Sequence, residues 1–460
     1  LAFAAVRGCL PQPVLPDHPA WAAGYWRDWA AVWECLADPP AGSSLRGPLL
    51  DGRDGVARMA DAAVVARLAA YGAGGFDLIH LLDPFYAAQQ PDGLILAELS
   101  RDTGESCWLP FHPNSAAPDL AVWVEWRHYR LCGDEARLRA VFGPLLAHHR
   151  WLRRHRTWPG GLYWTTAHAA GLPTPPGEDP DYHHHRVWLE ATLQANLSGL
   201  LLGRMGELLG ETAAVEELTA ERAPLTGRIN AALWNEDTSL YHAIEAGGTP
   251  VGRRSLGASW ALLDRSLATE ERRKALVQAV RNDHNARRRA TNGTASGGGP
   301  VSANGSGATA NGGAASSDSE PSPEPLQTTP LAAYVTMRGA QAAGAFPLAH
   351  ALAVGALGDG TLDGDDSATV ALRILTVLEG VVGLSLDWPL HQVTWRNYLG
   401  HTAETGVRGL RLGDAGTADL LAAGGMLTVR SDVPFTFAYH DREQEFQAAV
   451  PAGVSTFELA

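Results

Sequence analysis

Long helical segments follow one another through most of this chain with no strand pattern alternating between them. Apolar residues recur at helical spacing over 20–40, 55–72, 76–90, 118–132, 134–156, 185–210, 213–233, 255–282, 330–358 and 367–383. The double proline Pro39-Pro40, Gly72, the Cys132-Gly133-Asp134 turn and Gly210 punctuate the series. A parallel α/β sheet needs strands between helices, so that class is disfavoured. About a dozen helices in antiparallel succession predict an all-α toroid built from helical hairpins.

Two regions break the pattern. Residues 286–328 are Gly, Ala, Ser, Asn and Pro with almost nothing to bury, which predicts a disordered insertion. Residues 385–460 carry short alternating runs (TWRNYL, VRGLRL, MLTVRSDV, FTFAYH, STFEL) separated by turns, which predict a small C-terminal antiparallel β module. The expected organisation is therefore a barrel over 1–384, interrupted at 286–328, followed by the β-rich module 385–460.

Composition narrows the function. A net charge of −14 argues against a nucleic-acid partner, which needs a basic face to neutralise phosphates. No stretch approaches the roughly 18 uninterrupted apolar residues of a membrane helix, so no membrane partner is expected. The start LAFAAV has no basic n-region, and Leu1 in place of Met suggests a start inside a longer product. A soluble protein is expected, with its compartment and oligomeric state open. Cys9, Cys35, Cys107 and Cys132 form no CxxC pair. His168 and the run His183–His185 lack ligand spacing, so no metal is expected. Fifteen tryptophans are the informative count, because indole is both core filler and the flat face on which sugar rings stack.

The strings LLDPFYAAQQPDGLILAEL (81–99), HPNSAAPDLAVWVEWRHYRLCGDEARLRAVFGPLLAHHRWLRRHRTWPGGLYWTT (112–166) and VWLEATLQANLSGLLLGRMGELLG (187–210) resemble the six-hairpin glycosidases. The resemblance is to the mannosylglycerate-hydrolase-like branch, related to glycoside hydrolase family 63 and the trehalases. Weaker matches lie at 229–242, 255–264 and 334–352 and near the C-terminus. The resemblance implies an (α/α)6 toroid with a carbohydrate site at the mouth of its inner helices. It implies hydrolysis of a glycosidic bond with inversion, by one carboxylic acid and one carboxylate, without a cofactor.

Carried over position by position, the resemblance gives substrate-binding candidates Gln90, Asp92, Trp123, Glu125, Trp126, Tyr163, Trp164, Glu190, Gln194 and Arg338. The tryptophans are explained equally well by core packing, and Glu125 and Glu190 by solvated helix faces. The two catalytic groups do not carry over. The family's acid position is Pro173, which has no proton to give. The base segment is missing from the short connection 354–375. Glu178, Asp179 and Asp181 follow close after Pro173 as possible substitute acids, of which Asp179 and Asp181 are the catalytic candidates. Two readings follow, an inverting glycoside hydrolase with a displaced acid, or a degenerate, non-catalytic member that binds a carbohydrate or partner. The insertion and the short connection are also what a mis-spliced gene model would leave.

Overall fold

The computed structural model describes residues 3–51, 54–174, 177–295 and 326–459. Its helices start and stop where the local chemistry directs. Helix α1 is Pro19–Glu34 and α2 is Met59–Ala66. Helix α3, Ala121–Cys132, ends on Gly133 in the left-handed region, and Asp134 then caps α4, Glu135–His155, by accepting from the Arg137 amide. Helix α5, Leu189–Leu209, ends the same way on Gly210 before α6, Thr212–Ala232. A 3-10 segment, Leu256–Leu263, precedes α7, Glu270–Ala295. Thr329 caps α8, Pro330–Ala342, with proline in its first turn, and α9 is Phe346–Gly358. Asp366 caps α10, Ser367–Leu375, whose last turns widen into a π-helix, Thr376–Val382.

Six inner elements form a closed ring. Helix α2 touches α3, α3 touches α5, and α5 touches the 3-10 segment. That segment packs on α8, α8 on α10, and α10 returns to α2. Four inner elements have as outer neighbour the helix that follows them: α4 beside α3, α6 beside α5, α7 beside the 3-10 segment, α9 beside α8. The outer partner of α10 is α1, from the far end of the chain. Arg373 of α10 grips the buried Asp28 of α1 with both Nε and Nη2, at 2.9 Å each. The inner elements share one direction, so the ring has an N-terminal and a C-terminal mouth.

The β structure exceeds the expected module, and the all-α label does not hold. Strand β1, Gln12–Val14, comes from the N-terminal region. The other strands of the two larger sheets are β2 Leu384–Asp387, β3 Gln392–Arg396, β4 Thr405–Leu412, β5 Gly416–Ala423, β6 Met426–Ser431, β7 Phe435–His440, β8 Glu445–Val450 and β9 Gly453–Glu458. One sheet has the order β1-β4-β5-β6-β9 and the other β8-β7-β3-β2. The β7–β3 pair is parallel, so the module is not purely antiparallel. Phe446 and Phe437 of the second sheet meet Phe457 of the first at 5.2 and 6.4 Å, which makes the pair a sandwich. The β2 end of the sandwich lies against α3 at the C-terminal mouth.

Two further expectations change. Residues 286–295 continue α7 and are not part of a disordered segment; Asp283 pairs with Arg287 one turn on and also accepts from the Leu326 amide at 2.7 Å. Residues 296–325 of the expected insertion lie outside the described residues, and 326–328 are placed. The single helix expected over 255–282 is two elements, because Asp264 turns its carboxylate onto the Ser266 amide and breaks the run. Among the described residues no helix is long and apolar enough to cross a membrane.

Candidate carbohydrate site

A cavity of about 400 Å³ opens at the N-terminal mouth, at the first turns of α5, the 3-10 segment and α8. Its floor is Trp260 and its walls include Trp188, Tyr241 and Leu331. Polar groups converge from Glu190, Gln194, Ser255, Gln327 and Thr328. Apolar and aromatic walls with a few polar groups are what a sugar-sized ligand needs. Ala170–Pro173 form part of the rim.

Glu190 is the distinctive group. It sits in the first turn of α5 and its Oε1 accepts from Ser255 Oγ at 3.3 Å. No basic side chain pairs with it among the described residues. Desolvation in the cavity wall raises its carboxyl above the ordinary 4.5, opposed only weakly by hydrogen bonds to its own backbone and to Ser255. The approach is close enough that a Cβ on Gly257 would overlap the Glu190 carboxyl. Position 257 is glycine for space, not for an unusual φ.

The other two cavity carboxylates face a cation. Arg186 Nη2 lies 2.9 Å from Glu245 and 3.3 Å from Glu178. One guanidinium thus holds two acids on the rim opposite a carboxyl with none. Neither Arg186, Glu245 nor Ser255 was singled out by sequence. Arg186 stands just before the matched string that begins at Val187, and Ser255 reads as a helix cap; those signals were present but not specific.

The sequence-derived candidates scatter. Glu190 and Gln194 line the cavity. Asp92 is exposed in its turn and accepts from Trp151 Nε1 at 2.9 Å, pinning the turn to α4, and Gln90 binds the Ala88 carbonyl at 3.0 Å. Glu125 is fully buried between Arg137, at 2.7 Å, and the Tyr86 hydroxyl, at 3.0 Å. Tyr163 is core, within 3.4 Å of Glu221. Trp164 carries Arg156 on its face at 4.5 Å beside a small recess that Gln194 also reaches. Trp123, Trp126 and Arg338 lie toward the opposite mouth. Asp179 is exposed and accepts from the Asp181 amide at 2.9 Å. Asp181 belongs to a separate polar cluster: it accepts from Asn114 at 2.8 Å and lies 3.6 Å from His168, whose other nitrogen is 3.1 Å from Glu98. Of the acids that follow Pro173, Glu178 lines the cavity and Asp179 and Asp181 do not.

The largest omission from the sequence reading is Glu379. The π-helix after α10 turns this residue into the centre of the ring, where it is wholly buried. It accepts from Tyr71 at 3.1 Å, Tyr334 at 2.6 Å, Arg127 at 3.0 Å and Arg338 at 2.9 Å. Burial pushes its carboxyl up, but Arg338, Arg127 and Arg67 outweigh that and hold it well below the usual carboxylate range. Above this network Trp123 and Trp260 meet edge to face at 5.0 Å, one indole toward each mouth.

Residues 82–296 match the family model of the mannosylglycerate hydrolase MGH1-like glycoside hydrolase domain. No curated protein matches the chain in sequence. Among solved structures, the mannosylglycerate hydrolase of glycoside hydrolase family 63 from Thermus thermophilus, in complex with glucose, is similar over 76% of this chain and 98% of its own, at 15% identity and a TM-score of 0.53. The family 78 rhamnosidase of Bacillus sp. GL1 is similar over 94% of this chain and 42% of its own, at 14% identity and a TM-score of 0.65. The α-L-rhamnosidase of Dictyoglumus thermophilum gives 97% and 50%, at 12% identity and 0.62. The chain therefore spans half or less of the rhamnosidases it matches. These likenesses show a six-hairpin-glycosidase-like fold, in which residues 82–296 resemble the MGH1-like glycoside hydrolase domain.

Proposed function

We propose that this chain binds the glycosyl group of a small glycoside in the N-terminal cavity and hydrolyses it by inversion, with Glu190 as the general acid. The carrying observation is a cavity carboxyl with no basic partner, biased by desolvation toward its protonated form. A carboxylic acid in a desolvated pocket is the form that donates a proton to a leaving glycosidic oxygen. Gln194, one helical turn along α5, and the Trp188 and Trp260 faces hold the sugar. A rim carboxylate, Glu178 or Glu245, directs water from the opposite wall. The acid thus comes from the first turn of α5, in place of Pro173 and in place of Asp179 or Asp181.

Turnover of aryl glycosides and of glucosyl- and mannosylglycerate tests this. Glu190→Gln is expected to lower kcat by about 10²–10⁴-fold with KM nearly kept. Equal rates in wild type and variant would remove Glu190 from the chemistry. The second reading, a carbohydrate-binding member without turnover, is favoured by Arg186, which ion-pairs with both rim carboxylates. Its signature is a sugar-dependent rise in Tm with no hydrolysis by the wild type.

A further inference from the structure

The C-terminal mouth holds a second cavity, of about 520 Å³, roofed by Ser385–Asp387, Gln392, Thr394 and Arg396 of the sandwich. Seven arginines line it, against a single lining carboxylate, Asp387. Three of the seven are ion-paired, with two carboxylates between them: Arg130 pairs with Asp387, and Arg127 and Arg338 share the buried Glu379. Among the described residues the other four, Arg67, Arg204, Arg265 and Arg396, have no carboxylate within ion-pair distance. In a chain of net charge −14, seven guanidiniums around one cavity, set against Asp387 and the buried Glu379, run against the overall balance.

Capping of helix C-termini is the ordinary reason for arginines here. It accounts for Arg265, whose Nε donates to the Ala342 carbonyl at 2.9 Å. It does not account for Arg67. That side chain is 3% exposed, stacks on Trp123 at 3.5 Å and donates from Nη2 to the Tyr334 hydroxyl at 3.0 Å. Its Nε and Nη1 are buried with no hydrogen-bond partner, as are Nε of Arg127 and of Arg396. Buried donors left unpaired in side chains that line one cavity call for an acceptor that the protein itself does not provide.

We infer that this cavity is a binding site for a small oxyanion carrying at least two negative charges, of the phosphate-ester or polycarboxylate kind. A monoanion leaves most of the four guanidiniums uncompensated. A phosphate or a polycarboxylate offers several acceptor oxygens in the geometry that guanidinium forks match. The volume lies in the range of small-ligand pockets, and Trp126 and Phe346 offer apolar wall to the remainder of an organic ester. From Glu190 to Arg204 along α5 is 14 residues, about 21 Å of helix. The anion site and the glycoside cavity thus use opposite ends of one helix, and the failure of one reading leaves the other standing.

Pyrophosphate and citrate, each titrated against the full chain at constant ionic strength with sodium chloride as control, test the inference. Saturable binding by calorimetry and a matching rise in Tm are expected for at least one of them. Pyrophosphate binding above citrate marks a phosphate site, and the reverse a polycarboxylate site. Arg204→Gln, at an exposed position, is expected to weaken binding about tenfold and to leave the unliganded Tm unchanged or higher. Arg396→Gln is expected to weaken it similarly. The inference is overturned if neither anion binds more tightly than chloride at matched ionic strength. It is equally overturned if both variants bind as the wild type does.

Discussion

At the scale of single residues, two carboxyls of the ring carry opposite chemistry. Glu379, surrounded by arginines, is held ionised, whereas Glu190, set among apolar walls, is biased toward its protonated form. The consequences for stability have opposite sign. A depressed folded pKa gives stability that is present above the unfolded value of 4.5 and lost as pH falls through the folded one. Glu379→Gln is therefore expected to cost about 3–5 kcal/mol near neutrality, since it leaves buried guanidiniums unpaired, and to flatten the acid limb of the stability curve in urea titrations. A raised folded pKa works the other way, and stability falls as pH rises from 4.5 through the raised value. Glu190→Gln is thus expected to match wild-type Tm at pH 4 and exceed it at pH 8, while its activity is lost. Activity in the wild type should fall as pH rises through the Glu190 pKa, because only the acid form donates. Equal Tm differences at both pH values would show that the Glu190 carboxyl titrates in the fold as it does in the unfolded chain. Glu190 was legible in the sequence because it stands in a matched string at a helix start. Glu379 was not, because its role depends on a π-turn that brings a residue of no evident motif beneath arginines 41 and 252 positions away in sequence.

At the scale of elements, the decisive contact is the approach of the 3-10 segment to α5. Gly257 gives the Glu190 carboxyl its space. Its backbone is not left-handed, so alanine is tolerated locally and acts only through the collision. Gly257→Ala is expected to displace the carboxyl and to lower kcat by about 10²-fold, as a misplacement of about 1 Å does, with a modest change in Tm. Wild-type kcat in this variant would show that the carboxyl has other room. Helices here were readable because their caps and apolar spacing agree: Asp134, Thr329 and Asp366 each accept from an amide three residues on. Strand β5 and strand β8 were missed. GTADLLAA reads as helix by composition, and β8, whose residues alternate only weakly, takes its conformation from its neighbour β7. The 3-10 segment was missed for the reason that made it important, since a regular α-helix at Leu256–Leu263 would need Asp264 to continue it and not to cap.

At the scale of the molecule, toroid and sandwich share one apolar core and one C-terminal mouth. The ring was foreseen from the succession of hairpins, but not its closure, because the residues that close it are at the two ends of the chain. Asp28 and Arg373 are 345 positions apart. Asp28→Asn removes one partner of that buried pair and is expected to cost about 3–5 kcal/mol, with α1 the first site opened to limited proteolysis. Unchanged cleavage at α1 would mean that packing alone closes the ring. The closure also sets an order of events. Helix α1 is made well before its station beside α10, so it waits, apolar face uncovered, while the helices between them emerge. Strand β1 waits likewise for β4. Such a chain tolerates no early commitment of its N-terminal segment, and folding helpers that shield exposed apolar surface during synthesis should matter most for its first forty residues.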